Sequence, residues 1–391
     1  MNSETPSGFK KKFSYLISII ASTLLLITIA GLSVYLYRYL RATHIESLLR
    51  EQKPFGILII NYKDQKVKNP DLTFFSVATF YPKSNRVGFV SFFPQTRFTE
   101  HEAPLKEKVS LTSIDDIRTE ISTLLNMPIP YYIISDYRSI STLIDLVEGI
   151  SYFMWDPDAI EKENNNLPSL EFTLDGSMVE RVLTSTTENE SAAAFEIFKH
   201  YNLILNLWQQ HNEKWTIASN PAIFNLMYKR LDTNISYNEL YKLSSIIMKG
   251  AQWVPFFMEI PVKRVFDSFV IDLDATALYL KNFIKNIESI ENPYLTSMPK
   301  MEILNGTGKS NLARSFRNML AKKGVIIVEF KNADRADYEE SILLNISGNN
   351  YYLQSMEKTL GIKNIYSAIN TSSFTDMILI IGKDYEKYFS K

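Results

Sequence analysis

The sequence contains no cysteine, and this absence excludes several kinds of chemistry at once. A chain without thiols forms no disulfide, binds no metal through sulfur and offers no cysteine nucleophile. Histidine is scarce as well, and His44, His101, His200 and His211 do not have the spacing of a zinc site. We therefore do not expect a metal centre built from histidine.

An excess of charge of either sign is also lacking. The chain has 42 Lys and Arg against 43 Asp and Glu, so its net charge is −1. Net charge therefore provides no general electrostatic attraction to nucleic acid. The segment GTGKS at 306–310 resembles the end of a P-loop, but Ile303 stands where that motif requires its first glycine. We expect neither a nucleic-acid partner nor a nucleotide.

One apolar run is long enough to cross a membrane. Residues 13–37 carry no charged side chain, and a helix of their length spans roughly 37 Å, against about 30 Å for a hydrocarbon core. No convincing small-x-small cleavage site follows, so the run predicts an uncleaved anchor rather than a signal peptide. Lysines at 10–12 precede it and Arg38 and Arg41 follow it, so charge alone favours a cytoplasmic N-terminus only narrowly.

The rest of the chain predicts two α/β domains, because apolar runs of strand length alternate with amphipathic helical segments. Ser113 is placed to cap a helix that ends at Leu125, and Asp274 to cap a helix over 275–287. Two prolines among polar residues at 288–299 predict a linker. The predicted segments are a cytoplasmic tail 1–12, a transmembrane helix 13–37, a helical stalk 38–54, a larger α/β domain 55–287, the linker 288–299 and a smaller α/β domain 300–391.

Four segments of the smaller domain resemble a known family. They are EILNGTG at 302–308, NADRADY at 332–338, LGIKNI at 360–365 and ILIIGKDY at 378–385. In this order they are similar to the LytR C-terminal domain, which often follows LytR-CpsA-Psr domains in proteins of the bacterial envelope. The resemblance covers nearly the whole of the smaller domain.

The larger domain resembles the LytR-CpsA-Psr domain less evenly. The similar segments are 124–150, 81–98, the LDG at 174–176 and 233–243. The resemblance implies a layered α/β fold on a single-pass anchor in the cytoplasmic membrane, with the N-terminus inside and the body outside. It also implies the partners: the cell membrane, and a polyprenyl-phosphate lipid, peptidoglycan or envelope proteins.

The family transfers glycopolymers from a polyprenyl pyrophosphate carrier to peptidoglycan, which requires arginine forks and carboxylates that hold magnesium. Several of these positions have changed in this sequence. Pro94 stands at the position of the key arginine and Gln95 at that of the aspartate, and residues 184–194 contain no arginine or lysine. No catalytic residue can be assigned. The remaining candidates are Arg97, Arg181 and Lys199 for binding an anionic ligand, and Asp71 as a metal ligand.

We therefore expect a membrane-anchored envelope protein that has lost the transferase activity and binds or scaffolds a wall glycan, a polyprenyl-linked glycan or an envelope protein. The sequence predicts no particular cofactor for this function. The alternative is an active magnesium-dependent phosphotransferase whose cations come from unmatched positions. An active site would bring two or more Arg or Lys side chains together with a carboxylate at the mouth of an apolar groove.

Overall fold

The computed structural model describes residues 43–154, 171–184, 192–209, 220–249, 253–266, 268–289 and 298–389. The predicted tail, the predicted transmembrane helix and most of the predicted linker lie outside these residues. No helix within the described ranges has the length and apolar character needed to span a membrane. The chain divides into two compact units, residues 1–51 and 52–391.

The described part of the first unit is one short helix, α1 (His44–Arg50). Its N-terminus has a capping box, in which the Thr43 hydroxyl accepts from the backbone N–H of Glu46. The Glu46 carboxylate in turn accepts from the backbone N–H of Thr43 at 2.8 Å. Two N–H groups that the helix leaves unpaired are thereby satisfied.

The second unit alternates strands with helices. Its strands are β1 (Phe55–Tyr62), β2 (Leu72–Tyr81), β3 (Arg86–Phe92), β4 (Thr96–Arg97), β5 (Tyr131–Asp136), β6 (Ile150–Phe153), β7 (Glu171–Leu174), β8 (Asp232–Thr233), β9 (Val254–Glu259), β10 (Val262–Val265), β11 (Ser268–Ile271), β12 (Lys300–Asn305), β13 (Ile326–Asn332), β14 (Ile342–Asn345), β15 (Asn364–Ser367) and β16 (Met377–Ile381). Its helices are α2 (Leu105–Leu111), α3 (Ile114–Leu125), α4 (Tyr137–Leu146), α5 (Gly176–Thr184), α6 (Ala192–Gln209), α7 (Pro221–Tyr228), α8 (Tyr237–Lys249), α9 (Leu273–Glu288), α10 (Leu312–Lys322), α11 (Asn350–Leu360) and α12 (Glu386–Phe389).

A six-stranded sheet organises the larger domain, in the order β8-β5-β1-β2-β3-β9. β1, β2 and β3 form an antiparallel meander, while β5 runs parallel to β1 and β9 parallel to β3. The sheet has helices on both faces. This arrangement explains why these strands are nearly continuous apolar runs rather than alternating ones.

Side chains of β1 show how the sheet divides the core. Leu58 and Ile60 point to one face, where they pack in a cluster with Ile117 and Ile121 of α3. The odd-numbered residues point to the opposite face, because successive side chains of a strand alternate. The predicted mixed α/β fold is confirmed.

Two helix caps test the local reading of the sequence. Ser113 caps α3 as predicted, since its hydroxyl accepts from the backbone N–H of Asp116. The predicted cap at Asp274 is wrong, because Asp272 accepts from the N–H of Ala275 at 3.0 Å and α9 begins at Leu273. Asp274 instead lies in the first turn, where its charge still favours the helix dipole.

A five-stranded sheet forms the C-terminal domain, in the order β13-β12-β16-β14-β15. β13, β12 and β16 are parallel, and β14 runs antiparallel to β16. Phe316 and Leu320 of α10 and Met356 of α11 pack in the core cluster of this sheet. Gly382 follows β16 at a close approach, because a Cβ there would meet the backbone carbon of Glu340 at 2.3 Å.

Polar contacts join this C-terminal domain to the larger one within the second unit. The Asn202 side-chain oxygen accepts from the N–H of Ile369 at 2.5 Å, and Gln209 accepts from the Ser367 hydroxyl at 2.9 Å. The Glu259 carboxylate accepts from the Thr371 hydroxyl, and burial raises the pKa of Glu259. Helix α6 therefore contributes directly to the contact between the two domains.

Candidate functional site

An apolar cavity of about 370 Å³ lies between the six-stranded sheet and the helices α4, α6 and α8. On the sheet side its lining includes Ile57 and Ile59 of β1, the residues that point away from the core described above. On the helix side it includes Leu143 of α4, Leu203 of α6 and Leu243 of α8. The walls are therefore aliphatic and aromatic over most of their area.

A few polar side chains are among the residues that line this apolar cavity. Asn61 and Ser135 are register partners on the parallel strands β1 and β5. The Asn61 amide nitrogen donates to the Ser135 hydroxyl at 3.0 Å, and the Thr73 hydroxyl donates to the Asn61 side-chain oxygen at 2.9 Å. These groups satisfy one another, as buried polar groups generally do.

His200 of α6 is a third polar residue in the apolar cavity. Its ring is 4 % exposed and stacks on Phe74, with the ring centroids 4.6 Å apart and the planes inclined by 7°. Burial lowers the pKa of His200 to about 4, so the imidazole is neutral near pH 7. Nδ1 lies 2.9 Å from the backbone oxygen of Glu196, whereas Nε2 has no hydrogen-bond partner among the described residues.

A second, polar cavity of about 340 Å³ is formed by the β1–β2 loop, the start of α4 and α5. Its charged lining residues are Lys63, Asp64, Asp71, Arg138 and Glu180, so three carboxylates oppose two cations. Arg138 lies 3.2 Å from Asp64, and Lys63 lies 4.0 Å from Glu180. Both cations therefore already have carboxylate neighbours.

The polar cavity adjoins the apolar one at the start of α4. Tyr137 lines the polar cavity, and its ring centroid lies 6.4 Å from that of His200. Burial raises the pKa of Tyr137, and the nearby charges of Glu196, Asp71 and Glu180 raise it further. Burial also raises the pKa of Glu196, with Lys199 opposing that effect. The boundary between the cavities is thus acidic in character.

The predicted site residues are placed in different parts of the larger domain. Asp71 lines the polar cavity. Arg97 lies in β4, where its guanidinium donates to a backbone carbonyl at 2.5 Å, and Arg181 is exposed on the last turn of α5. Lys199 is buried, and its ammonium donates to a backbone carbonyl at 2.9 Å. None of these three cations lines either of the two cavities described above.

Magnesium, which the family resemblance implies for an active transferase, does not fit the residues present. Asp64 and Glu180 each face a cation, which leaves Asp71 as the remaining acidic residue of the polar cavity. No group of three or more His, Asp or Glu side chains within the described ranges could hold a metal ion. Magnesium prefers several oxygen ligands in octahedral geometry, and this lining does not supply them.

Most residues of the polar cavity were not predicted as site residues, although the sequence carries a signal for them. Lys63 and Asp64 follow β1, and Arg138 follows β5. β1 and β5 are parallel neighbours, so their carboxyl ends meet at one edge of the sheet, where α/β folds place ligand sites. His200 has no such signal, because its position depends on how α6 packs against the sheet.

Comparison with known families identifies the C-terminal domain. Residues 299–385 match the family model described as LytR cell envelope-related transcriptional attenuator. The predicted LytR C-terminal domain is thereby confirmed. The chain thus carries a LytR C-terminal domain at residues 299–385. A comparison of the chain with curated proteins gave no match.

Several solved structures resemble part of the chain. TagV of Bacillus subtilis is 16% identical over 61% of this chain and 98% of its own, with a TM-score of 0.45. TagT bound to LI-WTA is 12% identical over 60% of this chain and 90% of its own, also with a TM-score of 0.45. Protein gbs0355 from Streptococcus agalactiae is 14% identical over 62% and 90%, with a TM-score of 0.49.

Proposed function

We propose that the protein is a membrane-anchored component of the bacterial cell envelope that binds the long-chain lipid part of an envelope glycan and does not transfer the glycan. It would serve as a binding or scaffolding protein for a lipid-linked or wall glycan, or for an envelope partner. The observation that carries this proposal is the apolar cavity, enclosed by the sheet and three helices, beside an acidic polar cavity.

The size and lining of the apolar cavity support a lipid ligand. Its volume of about 370 Å³ lies within the range of small-molecule sites, and few of its lining residues are polar. Each buried methylene contributes about 0.8 kcal/mol, so one five-carbon isoprene unit contributes roughly 4 kcal/mol. Two or three such units would offset much of the estimated 4–15 kcal/mol cost of association.

The charges of the polar cavity argue against glycopolymer transfer. A pyrophosphate carries several negative charges and requires cations that converge on its oxygens. The lining of the polar cavity instead supplies three carboxylates, two of which neighbour Lys63 and Arg138. A pyrophosphate would have to displace carboxylates from both cations while remaining close to Asp71, and like charges repel.

The membrane location is part of the same proposal. The uncharged run at 13–37 is long enough to span a bilayer, and the LytR C-terminal domain accords with an envelope protein. We infer a cytoplasmic N-terminus and a body outside the cytoplasmic membrane. Fractionation of cells expressing the full chain or a 43–391 truncation tests the anchor. The full chain should sediment with membranes and resist carbonate extraction, whereas the truncation should not sediment.

A binding experiment separates the two candidate activities. The full chain in nanodiscs is mixed with a radiolabelled polyprenyl pyrophosphate or its alcohol, with magnesium, and binding and phosphate release are followed separately. We expect binding of an isoprenoid without release of phosphate. Leu203→Trp should abolish binding because it fills the apolar cavity, whereas Leu226→Trp, at a position 54% exposed on α7, should not.

Three results would contradict the proposal of lipid binding without transfer. Phosphate release that is lost when Arg138→Ala removes a cation of the polar cavity would show that the protein cleaves the pyrophosphate. Binding that Leu203→Trp leaves unchanged would show that the lipid lies outside the apolar cavity. If no isoprenoid binds at all, the protein would be a scaffold for another envelope protein, and the search would turn to crosslinking of partners in intact cells.

A further inference from the structure

We propose that a third cavity, between the larger domain and the C-terminal domain, binds one uncharged sugar ring of a glycan. This interdomain crevice has a volume of about 180 Å³. Its walls come from residues 254–257 of β9, the end of α9 and the 347–349 loop after β14. The inference goes beyond the proposed lipid binding, because it gives the sugar part of a glycan a separate site and does not depend on the apolar cavity.

The lining of the interdomain crevice combines aromatic rings with neutral polar groups. None of the described residues that form it carries a charge. A charged ligand would lose hydration there without gaining a counter-charge, which is costly. An uncharged ligand with hydroxyl groups exchanges its water contacts for contacts with amides and a serine hydroxyl. The crevice therefore selects a neutral polar ligand.

Helix α9 supplies an aromatic ring and an amide side by side. Phe283 and Asn286 are three residues apart, so they lie on one face of the helix, and both line the crevice half-buried. The side-chain amide of Asn286 makes no hydrogen bond with another described residue, and neither of its polar atoms is closed off from solvent. It offers both a donor and an acceptor. This pair fits a sugar ring, whose hydroxyls donate and accept and whose C–H faces are apolar.

The walls of the interdomain crevice are fixed by hydrogen bonds. The buried guanidinium of Arg86 donates to the backbone carbonyls of Asn286 and Ile287, the second at 3.3 Å. A cation is favourable at these carbonyls because they end the helix. In the C-terminal domain, the N–H of Ser347 donates to the carbonyl of Asp376 at 3.1 Å. A site held in place before the ligand arrives loses less entropy on binding.

The size of the interdomain crevice and the edge of β9 favour a sugar over a peptide. Drug-sized sites span about 300–1,000 Å³, so this smaller volume admits a single ring. β9 is an edge strand of the six-stranded sheet, but Pro255 has no N–H to donate to an added strand. The edge therefore lacks the regular hydrogen-bond ladder that an extended peptide requires.

Three trimers with the same β-1,4-linked rings test the inference on the full chain in nanodiscs. The substituent at C2 is acetamido in the N-acetylglucosamine trimer, hydroxyl in the glucose trimer and, at pH 6, ammonium in the glucosamine trimer. Saturation-transfer NMR measures the affinity of each. We expect both uncharged trimers to bind, and the charged trimer to bind at least about tenfold more weakly.

Variants assign the binding to Asn286. Asn286→Leu keeps a similar volume and removes the amide, so it should weaken both uncharged trimers about fivefold, and Asn286→Gln should restore part of the affinity. Asn282→Leu is the matched control, since it is exposed one turn earlier on α9 and lies outside the crevice lining. Leu203→Trp should leave sugar binding unchanged, and Asn286→Leu should leave isoprenoid binding unchanged.

Photolabelling of the unaltered chain locates the sugar without relying on the folding of variants. A diazirine derivative of the N-acetylglucosamine trimer should label peptides that contain 254–257, 283–286 or 347–349, and excess unlabelled trimer should suppress the labelling.

Several outcomes would overturn the inference. They are the absence of binding by all three trimers, equal binding of the charged trimer, labelling confined to other peptides, and normal binding by Asn286→Leu. Stronger competition by an uncharged capped tripeptide would make the crevice a peptide site and overturn it as well. Isoprenoid binding and its loss in Leu203→Trp are measured separately, so failure of the sugar site and failure of the proposed function are distinguishable.

Discussion

The buried neutral state of His200 predicts how the stability of the protein depends on pH. In the unfolded chain the imidazole titrates near 6.5, whereas in the folded protein burial lowers its pKa to about 4. The folded state therefore binds the proton less tightly. Its stabilising contribution is fully present above pH 6.5 and is lost as the pH falls from 6.5 toward 4.

The magnitude follows from the two pKa values. One pKa unit corresponds to about 1.4 kcal/mol, so the full loss is about 3 kcal/mol below pH 4, and about 2 kcal/mol of it occurs between pH 7 and pH 5. Glu196, Glu259 and Asp376 act in the opposite direction, because burial raises their pKa values and protonation then favours the folded state. The pH dependence of the wild-type protein alone is therefore a sum of opposed effects.

Comparison of the wild-type chain with His200→Phe cancels the contributions of those other groups to the pH dependence of stability. Urea unfolding of the full chain in detergent, followed by the fluorescence of its four tryptophans, gives the free energy of unfolding at pH 7 and pH 5. We expect the wild type to lose about 2 kcal/mol relative to His200→Phe between these pH values. His101→Phe, at an exposed position, is the control and should change the free energy of unfolding by the same amount at pH 7 and at pH 5. If the free energies of unfolding of the wild type and His200→Phe differ by the same amount at pH 7 and at pH 5, the imidazole of His200 is not buried in its neutral form.

Three further substitutions, two of them with a matched control, test the packing of the second unit. Asn202→Ala should lower the free energy of unfolding by about 2 kcal/mol in thermal unfolding, because it leaves a buried N–H of the domain contact without an acceptor. Gly382→Ala should lower the free energy of unfolding by about 3 kcal/mol or more, because the added Cβ would overlap the backbone. The control is Gly324→Ala, at φ +85° with the nearest atom 3.6 Å from the added Cβ, which should cost about 1 kcal/mol. Equal losses in the two variants would contradict the crowding at Gly382. Lys108→Met should cost about 1–2 kcal/mol in urea unfolding, because a side chain 15% exposed loses two carboxylate partners, and Lys331→Met, at 53% exposure, less than about 0.5 kcal/mol.

The first three strands of the larger domain could be predicted because each lies in a distinct apolar run. The apolar runs at 55–62, 72–82 and 86–94 of the sequence contain β1, β2 and β3. Because helices cover both faces of the sheet, neither face of these strands requires polar residues, and each strand is a continuous apolar run. The cap of α9 was misplaced by two residues because Asp272 and Asp274 both suit a helix start, and only the backbone geometry distinguishes them.

The cavities could not be predicted from the sequence, for a different reason. Arg97, Arg181 and Lys199 were selected by residue type and position in a motif, which do not specify where a long side chain ends. The acidic lining of the polar cavity combines a loop after β1 with residues of α4 and α5 that lie far along the chain. Their charges become a single environment only through tertiary packing.

Helix α6 explains why the cavity and the C-terminal domain belong to one compact unit. His200, Leu203 and Leu207 recur at helical spacing and line the apolar cavity. Asn202 and Gln209 recur on another face and bond to the C-terminal domain. The helix is therefore held by hydrophobic contacts on one side and by directional hydrogen bonds on the other. Because hydrogen bonds require a defined geometry, they also fix the rotation of α6, and with it the position of the imidazole inside the cavity.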